Sequence, residues 1–285
     1  MAKLWSERSA SMLPYSLPRS LISSGFQAII QSLGVEYAQE DAEQDAFQCS
    51  NSLTVKLCQE RTVELQEHEQ YREWFNGLSN FDLIIDCRSS GRSCTQLDTS
   101  VVAPILNQCR VRLQVQGAIV LTYVAGLRCL DSSVAIERPG CALIASLSAQ
   151  LVEAITTDPI LDLDLEEALE DIHSRASDGS RMIALCDLFK TFVYGVASSR
   201  VQAKVTEQLS IRIVVDGLDY LESEPTFTTF ISLCRNLAME AEHGELGRYV
   251  GFSYALIHPQ HCRPQSEHKV TLLNLKILAQ GSRRS

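Results

Sequence analysis

None of the ten cysteines stands in a Cys-x-x-Cys pair, so the chain carries neither a paired-cysteine zinc motif nor a dithiol redox motif. Cys109, Cys129, Cys141, Cys186 and Cys234 fall inside apolar patterns, where a free thiol behaves as a small hydrophobe. That usage fits a reducing compartment rather than a disulfide framework. Basic residues are also short: 25 Lys and Arg stand against 35 Asp and Glu, a net charge of −10. Polyanions are met by basic surfaces, so a dedicated nucleic-acid binder is not expected. No apolar run reaches membrane-spanning length, and "AIVLTYVAGL" (118–127) and "IRIVV" (211–215) have the length of buried strands. No G-x-S-x-G elbow occurs, and no serine has the His/Asp spacing of a triad. The N-terminus lacks the compact apolar core and cleavage site of a secretory signal. Residues 1–34 do carry Lys3, Arg8 and Arg19 against Glu7 alone, a balance shared with transit peptides, but the expected location is cytoplasmic.

What is present is an ordinary globular composition, 45% hydrophobic and 21% charged over 285 residues, enough for one large α/β domain and a smaller segment. Residues 1–50 read as a loosely attached leader, with a helix near 19–33 ending at Gly34 and an acidic stretch at 36–48. The domain is expected over 51–285. A helix over 53–77 spaces Leu57, Leu65, Tyr71, Trp74 and Phe75, with Gly77 as its cap. A strand–helix alternation follows. Strands are predicted at 81–86, 118–124, 211–216, 249–257 and 269–278. Helices are predicted near 95–110, 141–155, 164–175, 181–197 and 226–242, with Pro139-Gly140 closing a loop. Continuous apolar strands separated by helices predict an α/β fold: a mostly parallel sheet covered by helices on both faces, with a helical N-terminal extension.

Two strands end in aspartate. "DLIIDCRSSGRS" (82–93) runs from a strand into a loop, and Asp86 to Ser93 has the length of the phosphate-binding pattern G-x-x-x-x-G-K-[ST]. Asp86 replaces the first glycine, and Arg92 the lysine. A carboxylate there repels a polyphosphate and removes the glycine's conformational freedom. Arg92 keeps the charge as a planar fork rather than a compact ammonium. Ser93 retains a hydroxyl suited to Mg²⁺. "IRIVVDGLDYLE" (211–222) resembles a strand whose terminal carboxylate, Asp216, holds a metal-bound water, with Asp219 placed to orient an attacking water. The simpler reading of Asp216-Gly217 is turn chemistry.

In order and spacing, "YREWFNGLSNFDLIIDCRSSGRS", "GAIVLTYVAGL", "PGCALIASLSAQLV", "ALCDLFKTFVYGV" and "IRIVVDGLDYLE" are similar to the N-terminal NTPase modules of fungal NACHT/STAND-type proteins. The resemblance spans residues 70–258 and implies a P-loop NTPase fold used as a nucleotide-gated switch with ATP or GTP and Mg²⁺. By position it implies phosphate contacts from Ser90, Gly91, Arg92, Ser93 and Cys94. It implies Mg²⁺ at Ser93 and Asp216, and a catalytic acidic residue at Asp219. The chain departs from the family at Asp86 and Arg92, at Tyr220 where a second acidic residue is usual, and around "SYALIHP", where a Ser-Arg-Pro is missing. The expectation is therefore a stand-alone pseudo-NTPase with a regulatory or scaffolding role, acting through a protein partner or as an oligomer, without nucleic acid or membrane. The alternatives are an active Mg²⁺-dependent ATPase or GTPase using Arg92, Ser93 and Asp216, and an accessory protein that takes another small molecule in the crevice at the strand ends.

Three further groups have simpler explanations. His258, His261, Cys262 and His268 are zinc-ligand types at spacings that match no closed site. Cys87 beside Arg88 and Arg92 has a setting that lowers a thiol pKa, or is an exposed loop cysteine. The acidic helix over 161–173 suits a basic partner, or is a solvated face.

Overall fold

In the computed structural model the described residues are 33, 63, 65–76, 82–86, 118–125, 139–156, 181–216, 225–258 and 270–274. They form an α/β structure around one sheet. Its strands are β1 (Asp82–Asp86), β2 (Ile119–Val124), β3 (Leu209–Asp216), β4 (Val250–His258) and β5 (Val270–Asn274). The order across the sheet is β2-β3-β4-β1-β5, and every neighbouring pair is parallel. The helices are α1 (Glu69–Asn76), α2 (Pro139–Thr156), α3 (Arg181–Gln202) and α4 (Pro225–His243), with a 3₁₀ turn at Glu245–Arg248.

Burial on both faces explains the largely apolar character of β3, where Ile211 through Val215 are all buried and only Arg212 is polar. Ile211, Ile213 and Val215 join Leu121, Tyr123, Phe252, Tyr254 and Leu256 in one core with the inward sides of α2, α3 and α4. The steps β2→β3→β4 move one way along the sheet, and right-handed crossovers then put their connecting helices on one face. Leu33, from the expected leader helix, is buried in the same core. The alternate positions Val120, Thr122, Val124, Arg212, Val214, Ser253 and Ala255 are also buried. On that second side Arg212 donates to the Trp74 carbonyl of α1 at 2.5 Å.

Several boundaries differ from expectation for identifiable reasons. Pro139 opens α2 instead of ending a loop, because its fixed φ and missing N–H suit a first helical turn. The helix expected over 53–77 lapses at His68. There the His68 N–H turns back to Leu65 O, and its carbonyl receives Arg72 N–H to begin α1. Leu65, Tyr71, Trp74 and Phe75 are buried as expected, while Leu57 lies outside the described residues. α3 runs five residues beyond its expected end at 197, to Gln202. It stops at Lys204 with φ 54°, where Val205 N–H bonds Arg200 O and Lys204 N–H bonds Val201 O. That paired closure is a Schellman motif. Contrary to the expectation that no run reaches membrane-spanning length, Met182–Gln202 is long and apolar enough to cross a membrane, because as a core helix it buries Phe189, Phe192, Val193 and Val196.

Two polar side chains fix the outline. Gln150 of α2 accepts from Thr122 N–H at 2.9 Å and donates to Thr122 O at 2.8 Å. β2 is the edge strand of the described sheet, so the amide replaces a neighbouring strand at that residue. In the 3₁₀ turn a Cβ on Gly247 would lie 1.9 Å from the Ala241 carbonyl oxygen, a contact only glycine avoids.

The carboxyl edge as candidate functional site

The strands finish on one line. Asp86 is in register with His258 on one side and Asn274 on the other, and Asp216 with Val124 and Ile257. β4 lies between β1 and β3, so the backbones at Asp86 and Asp216 sit two strand spacings apart, about 10 Å. Their partners on β4, His258 and Ile257, are consecutive residues. From the adjacent strands β1 and β4 the chain departs in opposite directions along the sheet, toward β2 and toward β5. Such a switch point at the carboxyl ends is where open α/β sheets hold ligands.

Helix polarity adds to the edge. Gln150 is level with Thr122, eleven residues into α2 and two residues before the end of β2. At about 1.5 Å per helical and about 3.3 Å per strand residue, the start of α2 overhangs the edge by about 10 Å. α4, which follows β3, also starts on this side. Neither helix has an acidic residue in its first turn, and each N-terminus carries the partial positive charge of its helix. Asp216 is half-buried at the end of a strand whose preceding residue, Val215, is fully buried. A carboxylate so placed has a fixed base, as a metal-water contact requires.

Of the residues singled out from sequence, Asp216 ends β3, Asp86 ends β1 and His258 ends β4. The fold gathers these three positions at one edge. Ser90, Gly91, Arg92, Ser93, Cys94 and Asp219 lie outside the described residues, as do Cys87, Arg88, Tyr220, His261, Cys262, His268 and the segment 161–173. Among the described residues, no group of three His, Cys, Asp or Glu side chains could hold a metal ion. Sequence reasoning singled out His258 as a zinc ligand type, but not as the register partner of Asp86. It passed over Asn274 altogether. His258 stands one residue past the strand predicted at 249–257 and Asn274 inside the one predicted at 269–278, but the pairing of β1 with β4 and β5 is non-local.

Cys141, Cys186 and Cys234 form no disulfide and are buried, as their apolar settings predict. Burial pushes the Cys186 thiol up to about 12, helped by the charges of Asp187 and Cys141, so at neutral pH it is protonated and poorly nucleophilic.

These features define an open, all-parallel α/β sheet with an acidic-ended strand beside its switch point. No family model, no curated protein and no solved structure matches the chain.

Proposed function

We propose that the chain is a P-loop-type, NACHT/STAND-like module with a degenerate nucleotide loop. It acts as a regulatory or scaffolding pseudo-NTPase that binds nucleotide weakly or not at all and works through a protein partner. The carrying observation is the strand order: β1, after which Gly91-Arg92-Ser93 comes in the sequence, borders the switch point, and Asp216 ends β3 one strand beyond β4. That arrangement suits a phosphate loop on one strand and a Mg²⁺ carboxylate on another. The loop chemistry argues for loss of turnover, because Asp86 brings a negative charge to the strand end from which the loop departs.

Calorimetric titration with MgATP and with MgGTP, on wild type and on Asp216→Ala, tests the proposal. Absent binding, or weak binding without turnover, is the expected result. Saturable binding that Asp216→Ala weakens, together with phosphate release, would overturn the pseudo-NTPase assignment in favour of an active NTPase using Arg92, Ser93 and Asp216.

A further inference from the structure

A second group of ligating atoms lies in the core, apart from the strand ends. Cys141 is the third residue of α2, and Met182 and Cys186 stand one turn apart in the first turns of α3. Residues four apart share a helix face, and all three side chains are buried. Cys141 Sγ lies 3.9 Å from Met182 Sδ, and Cys186 stands on the same face of α3 as Met182, one turn on, in the same core. We propose that Cys141, Cys186 and Met182 form a binding site for a soft monovalent metal ion of the Cu(I) class.

The donor set selects the ion. Two thiols and a thioether offer neither oxygen nor imidazole, so hard ions find no suitable partners; Zn²⁺ accepts thiolates but closes its sites with four ligands, whereas Cu(I) favours soft sulfur, thioether included. An ion about 2.3 Å from each sulfur would span the 3.9 Å pair at about 115°, close to the angle of a three-coordinate trigonal site. Binding exchanges one Cu⁺ for two thiol protons and changes no oxidation state, leaving a bis-thiolate centre of charge −1 with a neutral thioether. The first turns of α2 and α3 have no acidic residue, and their positive dipole ends offset part of the cost that burial and Asp187 impose on that negative charge.

The test is anaerobic titration of the full chain with Cu(I), in competition with a chromophoric Cu(I) chelator. Wild type, Cys141→Ala/Cys186→Ala and Cys234→Ala are compared. Cys234 is equally buried, on α4, and serves as the control for general thiol content. Wild type and Cys234→Ala are expected to retain one more equivalent against the chelator than the double variant. Met182→Leu conserves volume and fold, and should hold that equivalent more weakly. Equal retention by wild type and the double variant overturns the site. An unchanged affinity in Met182→Leu removes the thioether from it.

Discussion

At the scale of single residues, the chain holds positions whose role no local pattern announces. Lys204 takes the left-handed conformation that glycine normally fills at a helix end, which is why the end of α3 was not legible: no glycine marks it. The strain on a non-glycine residue is partly offset by glycine's greater freedom in the unfolded chain. We therefore expect Lys204→Gly to stabilise the protein by about 0.5–1 kcal/mol, read from urea denaturation midpoints; destabilisation would show that the lysine side chain contributes contacts of its own. Cys186 carries a different consequence. Its thiol is raised from 9.0 to about 12 on folding, so below about pH 9 both states are protonated and stability is unaffected. As pH rises from about 9 toward 12 the unfolded chain ionises and the folded one does not, and stability falls. In the metal-free protein, denaturation midpoints over that window should decline more steeply for wild type than for Cys186→Ala. Parallel slopes would show that the folded thiol ionises freely.

At the scale of elements, β2, β3 and β4 were legible because burial on both faces makes each one a short, largely apolar run, and β1 and β3 each close on aspartate. The devices that attach elements to one another were not legible. Gln150 reads as a polar residue on an apolar helix, yet it answers both backbone groups of Thr122. Gln150→Met fills the space and leaves a buried N–H and C=O unpaired, at a cost of about 2–4 kcal/mol. Thermal unfolding should register that loss, and a change within a few tenths would mean water replaces the amide. Arg212 interrupts the apolar run of β3 for a similar reason. It is buried, donates to Ser210 Oγ and Ser253 Oγ at 2.9 and 2.7 Å, and reaches the Trp74 carbonyl. Its guanidinium also stands 5.5 Å from the centre of the Trp74 ring. Trp74 lies in the last turn of α1, whose carbonyls lack partners within the helix, so the cation caps the helix as well as anchoring it. Arg212→Met should release α1 and shift Trp74 emission to the red in a Trp5→Phe background, at a stability cost of about 2–4 kcal/mol. Unshifted emission would assign the docking of α1 to its apolar contacts alone.

At the scale of the whole molecule, β4 decides how the parts cohere. It pairs with β3 on one side and β1 on the other, joining the α2/α3/α4 layer to the strand that precedes the candidate loop. The same placement brings Asp86 and Asp216 to neighbouring register positions. That feature of the site could not be read from sequence, because β1 and β4 are separated by more than 160 residues. The terminal aspartates were visible; their distance from one another was not. Since Arg212 of β3 bonds Ser253 of β4 and the carbonyl of Trp74 on the opposite side from the main helices, no described layer is free to unfold without disturbing the next. We expect a single cooperative transition in urea, with Trp74 emission and far-UV circular dichroism superimposing. Ala255, fully buried at the centre of β4 between Val214 and Leu83, is the position to perturb. Ala255→Leu overfills it and should lower both signals together by about 1–3 kcal/mol. If Trp74 emission instead changed at lower urea than the dichroism, α1 and β1 would form a separately melting unit, and the carboxyl edge would be assembled from two bodies rather than one.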